Sequence, residues 1–470
     1  MCKALISAFI TVFIFYSAPF NLNACSTFKF QKGGELIYAH NLDQPERDMP
    51  GTIFINKRGV FKTGRSFSEM FFDKDRKRPS DLCWISRYGS ITFSIYGRDF
   101  PDGGINEAGI FIWEMGMVGT EYPVSEELPK LLKMNWMQYI LDNFGTLDDA
   151  LTAAYDIEVE GWQWHFFLGD AQGNCATIEF IDGEAVIHRG ENMPIPALFN
   201  RPYDQEIRYL HYFKGFGGLY EPDMNDEKIP RMVKAAVMLR DYDPAVNDPL
   251  DYSKALLYEV GNKPYKWGIL IDVVRRNIYF NTEANQEWKS FSFMDIDYSN
   301  DGPFMTLNID QPVGGDVSAL FHPLNDDEFG ATFKGYVDDL PPSSFEYYGI
   351  PGDTMIARFS KAYHRAEKKE NQYFSGIWKG LRTEADDDGN KEQLTLEFKT
   401  DGSNVSGSIN FRGDDYQLEH IHLNDKNLDF TFRSKNGTFI FPQGRIYGSS
   451  LELRVYYTWG VMGDYLLQKQ

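Results

Sequence analysis

Short segments of alternating apolar and polar residues recur in pairs along most of this chain. Each pair is joined by a tight turn, and that rhythm commits the chain to antiparallel sheet. Ser26–Phe30 and Glu35–His40 flank Gly33-Gly34, and Trp164–Asp170 and Asn174–Ile181 flank Gln172-Gly173. Trp267–Asp272 and Asn277–Thr282 make a third pair. Ser90–Tyr96 and Gly109–Glu114 read as further strands around a turn at Asp102-Gly103-Gly104. Helical spacing is confined to a few stretches: Leu128–Asn143, Leu147–Tyr155 with Thr146 as its N-cap, and Ile229–Tyr242.

The text changes after residue 360. Lys361–Asn371 is a charged stretch that reads as a linker or exposed helix. Gly376-Ile377-Trp378-Lys379-Gly380 then opens a run of short alternating strands, including Leu394–Phe398, Ser406–Phe411, Leu428–Phe432 and Leu451–Tyr457. Even spacing and polar turns predict a small antiparallel barrel or sandwich over 374–470. The expected organisation is a leader at 1–24, a large domain at 25–360, a linker at 361–373 and this small β domain. A chain of 470 residues suffices for two or three domains. Nothing in the residues of the small domain chooses among ligand binding, covering the large domain and added stability.

The net charge of −21 opposes binding to nucleic acid or to anionic membrane surfaces. Beyond the first 24 residues no apolar run reaches the roughly 18–20 residues needed to span a bilayer. Aromatic residues make up 16% of the chain, which suits β-rich structure and apolar-ligand pockets, and equally a plain core. Of the four cysteines, Cys2 lies in the leader, while Cys83 and Cys175 sit in strand-like surroundings as two buried thiols or as a bridge. His420 and His422 share a strand face, but such a pair is far more often a surface pair than a metal site. Asp386–Asn390 has its glycine misplaced for a calcium loop and reads as a hairpin turn.

Residues 1–24 have the layout of a secretory signal peptide: Lys3, an apolar run from Ala4 to Phe20, and Ala24 at the end. Cleavage after Ala24 leaves Cys25 at the N-terminus. That residue then carries a thiol and a free α-amine of reference pKa roughly 7.7–8.0, so one residue supplies both nucleophile and base. Leu22-Asn23-Ala24-Cys25 also has the look of a lipoprotein box, in which lipid on the sulfur would remove the nucleophile and anchor the chain. A third reading is cleavage elsewhere, with Cys25 buried in a strand.

Downstream of Cys25 an ordered series of segments follows. They are Ala39-His40-Asn41-Leu42-Asp43, then Gly104-Ile105-Asn106-Glu107-Ala108-Gly109, then Trp164-His165 through Asp170 with Ile178-Glu179. Phe199-Asn200-Arg201-Pro202, Pro230-Arg231-Met232-Val233 and the pair from Trp267 to Thr282 complete it. No single piece is specific, but the order after a cleavable leader resembles the choloylglycine hydrolase (linear amide C–N hydrolase) family of N-terminal-nucleophile (Ntn) enzymes, over about residues 25–300.

The resemblance implies an α+β fold: a four-layer αββα sandwich, here followed by the all-β barrel-like domain. It implies an amidohydrolase that cleaves a linear, non-peptide amide through a cysteine thioester. Cys25 matches the nucleophile and Asp43 the acid that holds its amine. Asn106 matches an oxyanion donor, Asn200 the second asparagine of the site, and Arg231 an arginine near the thiol that favours thiolate. His40 stands where the family commonly has arginine; as a substrate-binding residue it cannot supply arginine's permanent charge or five-donor fork. His165 matches a core strand and reads as structural. The implied substrate is a small acylated amine, with no metal or organic cofactor required. Acyl transfer through the same thioester, and a non-catalytic binding protein on the same fold, are the competing functions. Export to the periplasm or the outside is expected, with a lipid-anchored form as the alternative; an assembly of identical chains stays open.

Overall fold

A computed structural model describes residues 25–470, except 44–50, 73–79, 81, 126, 227, 262–265, 295, 300–301, 326–332, 339, 362–373, 386–390, 402–403, 425–426, 448–449 and 458–459. The leader, most of the expected linker and the Asp386–Asn390 turn therefore lie outside the described residues.

The paired segments assemble into two sheets. The first runs in the order Ala197–Leu198, Ser26–Lys32, Glu35–Leu42, Trp267–Asp272, Asn277–Thr282, Lys289–Ser292 and Gly315–Asp316. All its pairings are antiparallel except the last. The hairpin from Ser26 to Leu42 turns on Gly33 and Gly34, whose φ values of 62° and 89° only glycine adopts without strain. The second sheet has nine strands: Glu184–Arg189, Cys175–Ile181, Trp164–Gly169, Phe111–Gly116, Gly103–Asn106, Ser90–Ser94, Thr52–Asn56, Met305–Asn308 and His322–Pro323.

The sheets pack face to face because alternate residues of their central strands are aromatic. Tyr38 stacks on Phe111 at 4.7 Å between ring centres, and two residues along His40 stacks on Trp113 at 4.4 Å. Helices Arg231–Asp241 and Pro249–Val260 lie on the outer side of the first sheet; Lys133–Asn143 and Leu147–Asp156 lie on the second. The result is the expected four-layer αββα arrangement. Thr146 caps the helix at Leu147 by accepting the N–H of Asp149.

Two local expectations need correction. Gly103 and Gly104 belong to a strand rather than a turn. They are glycines because of packing: a Cβ on Gly103 would sit 2.2 Å from the ring of Trp113, and one on Gly104 would sit 2.2 Å from the carbonyl oxygen of Ile91. The stretch from Leu128 is not one helix. Lys130–Leu132 pairs in parallel with Glu158–Glu160, and the helix starts only at Lys133. Sheet pairing captures backbone that apolar spacing alone assigned to helix.

Residues from Gly376 onward form a nine-stranded, nearly closed antiparallel sheet. Its order is Asp414–Gln417, Asn404–Phe411, Gln393–Asp401, Gly376–Arg382, Gly460–Lys469, Ser450–Tyr457, Phe439–Tyr447, Asn427–Arg433 and Glu419–Asn424. Its hydrophobic core, built on Trp378, Phe398, Phe430 and Leu467, is separate from that of the sandwich. Trp378 is fully buried and donates its indole N–H to the carbonyl of Phe374 at 2.8 Å. Cys175 is a free thiol, its sulfur 3.9 Å from that of Met193, so the bridged alternative is not formed.

Replacing Trp378 by alanine removes the largest side chain of the smaller core and should cost about 3–5 kcal/mol there. Hydrogen exchange should show faster opening of 376–382 and 460–469 with 267–272 unchanged. Equal loss of protection in 267–272 would mean that the two cores open as one unit.

Candidate active site

Cys25 sits immediately before the strand Ser26–Lys32 and is 4% exposed. The groups around it come from four separate segments. Arg231, the first residue of the helix Arg231–Asp241, reaches back across the end of the first sheet. One of its nitrogens donates to the carbonyl oxygen of Cys25 at 2.8 Å and to Ser26 Oγ at 2.9 Å. The other donates to Asn200 Oδ1 at 2.9 Å. Asn200 follows the edge strand Ala197–Leu198 and precedes Arg201-Pro202, after which the helix Tyr203–Leu210 begins. Its amide nitrogen donates to the carbonyl of Gly116 at 2.7 Å, so Asn200 ties the first sheet to the end of a strand of the second.

Asp43 immediately follows the strand Glu35–Leu42, which pairs with the strand after Cys25, and is fully buried. Asn41 donates to its Oδ1 at 3.2 Å, and its own main-chain N–H is directed at the Cys25 sulfur. The sequence thus brings Cys25, Asp43, Asn200 and Arg231 into one site.

Asn106 is not part of it. Both hydrogens of its amide are taken, by the carbonyls of Leu141 and Phe144 at 2.8 Å each, and its Oδ1 accepts the N–H of Ile110 at 2.8 Å. It fastens the C-terminal turn of the helix Lys133–Asn143 to the turn before Phe111. An amide with both donors committed cannot also serve an oxyanion. Asn200 keeps one amide hydrogen beyond the bond to Gly116.

His40 is also placed differently from its expected role. It is fully buried between the sheets, stacked on Trp113, with Nδ1 2.8 Å from Thr27 Oγ1. Burial pushes its pKa well below the usual histidine value, so the ring is neutral. It is a packing residue one strand away from Cys25 rather than a surface open to a ligand.

Electrostatics at the thiol are opposed. Burial pushes the Cys25 thiol well above its usual value, and the charges of Glu114 and Asp43 push the same way. The main-chain N–H of Asp43 and the Arg231 guanidinium pull it down. Burial likewise lowers the pKa of Arg231, while Asp43, Cys25 and Glu206 raise it. Glu114 was missed in the sequence reading. It is 3% exposed on the strand Phe111–Gly116 and its carboxyl is pushed well upward, first by burial and then by Asp102. One acid inside the apolar run Ile110–Met115 was the available signal.

No family model matches the chain. The curated penicillin V acylase of Pectobacterium atrosepticum is 30% identical over 182 residues, 35% of this chain and 48% of that protein. The chain thus spans about half the length of the curated relative it matches. Among solved structures, penicillin V acylase from Agrobacterium tumefaciens superposes with a TM-score of 0.53 at 21% identity, over 64% of this chain and 98% of that one. A variant of the conjugated bile acid hydrolase from Clostridium perfringens reaches 0.48 at 14% identity, over 60% of this chain and 97% of that one. The αββα sandwich thus shares its fold with the Agrobacterium penicillin V acylase.

The thiol should respond to its charged neighbours in opposite directions. Arg231→Gln removes a positive charge and moves the pH midpoint of Cys25 alkylation upward; Glu114→Gln removes a negative one and moves it downward. Rates of iodoacetamide labelling against pH, read by mass spectrometry, check both signs.

Proposed function

We propose that this chain, akin in sequence and fold to the choloylglycine hydrolase (linear amide C–N hydrolase) family, hydrolyses the amide of a small acylated amine with Cys25 as its nucleophile. The observation that carries this reading is the Arg231 guanidinium, which holds the Cys25 carbonyl and the Asn200 amide at once. It fixes a thiol and an amide donor relative to one another, which is the geometry acyl transfer needs.

The reading requires residues 1–24 to be removed during export, so that Cys25 has a free amine. That amine takes the thiol proton, with Asp43 as its orienting carboxylate. The thiolate attacks the amide carbonyl, forming a C–S bond, and charge develops on the carbonyl oxygen. The remaining N–H of Asn200 is aimed at that oxygen. The C–N bond breaks as the ammonium returns its proton to the leaving nitrogen. Water then attacks the thioester, the C–S bond breaks, the acid departs and sulfur regains its proton. Burial first, with Glu114 and Asp43 acting in the same direction, keeps the thiol protonated until a base acts on it, so the amine has a defined task. The first substrate to test is penicillin V, the amide named for the relatives, followed by other amides with apolar acyl groups.

The test is a panel of acyl amides incubated with protein that begins at Cys25. Intact mass should reveal an acyl adduct on Cys25, and Cys25→Ser should lower turnover of the best amide by more than about a thousandfold. A Cys25→Ser protein that turns over at the wild-type rate, or secreted protein with lipid on Cys25, removes the proposal. The two asparagines should separate cleanly. Asn200→Ala should cost about 10²–10³ in kcat. Asn106→Ala should leave kcat of the folded fraction unchanged and cost about 3 kcal/mol of stability in urea unfolding, because two buried carbonyls lose their donor.

A further inference from the structure

Behind Asn200 a line of buried titratable side chains runs from the site to the surface. His165 and Glu179, on adjacent strands of the second sheet, are both fully buried. His165 Nε2 is hydrogen-bonded to the carbonyl oxygen of Phe199, and Nδ1 is 3.0 Å from Glu179 Oε1. Glu179 also accepts the main-chain N–H of Tyr203, at 3.0 Å and 3.2 Å to its two oxygens. The pair therefore grips Phe199-Asn200-Arg201-Pro202-Tyr203 at both ends, with Asn200 between the grips. Beyond it, His188 Nδ1 lies 3.4 Å from Glu179 Oε2 and 3.2 Å from Thr177 Oγ1. His188 Nε2 lies 3.1 Å from Asp204 Oδ1, whose side chain is 70% exposed. Glu206, on the helix after Pro202, is a further buried carboxyl; burial raises its pKa, and Arg201, Arg231 and His165 oppose the rise.

The hydrogen-bond requirements fix the chemistry of the pair. A carbonyl oxygen only accepts, so His165 Nε2 must carry a proton. Glu179 accepts the Tyr203 N–H with both oxygens, which is the behaviour of a carboxylate. The ring nitrogen facing that carboxylate must then donate as well. An imidazole protonated on both nitrogens meets every requirement, whereas a neutral one would need the shared proton on Glu179 Oε1, the oxygen that already accepts the shorter bond from Tyr203. Asn200 has its amide oxygen fixed by Arg231 and its nitrogen by Gly116, but its backbone is held by this pair.

We infer that His165 and Glu179 are positioning residues for the proposed reaction: a buried imidazolium–carboxylate clamp that sets the backbone of Asn200, and with it the aim of the oxyanion donor. This rests on the reading of Asn200 as that donor. His188 and Asp204 continue the clamp to solvent, giving its protons a route in and out. A displacement of about 1 Å in a catalytic group costs on the order of 10² in rate, and loss of the clamp belongs in that range.

The test has one arm independent of catalysis. In ¹⁵N-histidine-labelled protein, His165 should show two protonated ring nitrogens, and in Glu179→Gln only one. A single proton on His165 in the unmutated protein overturns the inference, whatever the enzyme does. The second arm uses activity on the best amide. His165→Leu should lower kcat about 100-fold with KM within about threefold and with Cys25 alkylation unchanged. His165→Gln, which keeps a donor for the Phe199 carbonyl, should recover at least tenfold of that loss. A folded His165→Leu with wild-type kcat, or a His165→Gln as slow as His165→Leu, overturns it. Should His165→Leu fail to fold, the proton count and the Gln variant measured against wild type decide. If wild-type protein hydrolyses no amide, the proposed function fails while the proton count still judges the clamp.

Discussion

One buried guanidinium organises the reactive end of this molecule. Arg231 donates to the carbonyl of Cys25, the hydroxyl of Ser26 and the amide oxygen of Asn200, joining two strands of the first sheet to the start of a helix. Removing such a cation from water costs several kcal/mol, and the cost is offset only by well-placed acceptors and countercharge. Asp43 and Glu206 supply the countercharge, and the three oxygens supply the acceptors. Ser26 passes the constraint on by donating to the carbonyl of Val260, at the end of the next helix. The thiol is thus held through its own backbone, independently of the side chain that must move when it reacts.

The charge pattern at the sulfur follows from the same burial. A lone cation beside a thiol is the usual device for making thiolate at rest. Here burial outweighs it, and Glu114 and Asp43 act in the same direction as burial. Under the proposed function, the arrangement suits a nucleophile released by its own amine when substrate arrives, rather than one stored in reactive form. Glu114 belongs to a buried group with Asp102 and Lys133, in which burial drives both acids upward and the amine downward. Lys133 also lies over the ring of Trp164 and donates to the carbonyl of Trp162. This cluster sits at the start of the helix that Asn106 fastens at its other end.

What was legible in the sequence was whatever repeats locally. The hairpin Trp267–Asp272 with Asn277–Thr282 was found to the residue, since period-2 apolar alternation and a short turn are properties of the segment itself. Cys25, Asp43, Asn200 and Arg231, which the structure brings together, each stand in a short recognisable segment. The failures share a cause in distant partners. Gly103-Gly104 looked like a turn, as paired glycines do, but the reasons for them are the Trp113 ring ten residues after Gly103 and the Ile91 carbonyl beside Gly104. Asn106 looked like a donor for substrate, but Leu141 and Phe144 had already claimed it. His165 read as structural, and its bond to Phe199 ties that structural role to the position of Asn200. Spacing along the chain carries no record of which residue reaches a shared partner first.

The C-terminal sheet carries a consequence for how the molecule is made. Of its nine strands, the one at the centre, Gly460–Lys469, is the last in chain order. Until that segment emerges from the ribosome, the four strands on either side are two half-sheets with raw inner edges and half a core each. Closure must await that segment and joins Gly376–Arg382 to residues more than seventy positions later in the chain. Nascent copies on one message would present matching open edges to each other, so this unit is where crowded translation invites exchange of the final strand between neighbours.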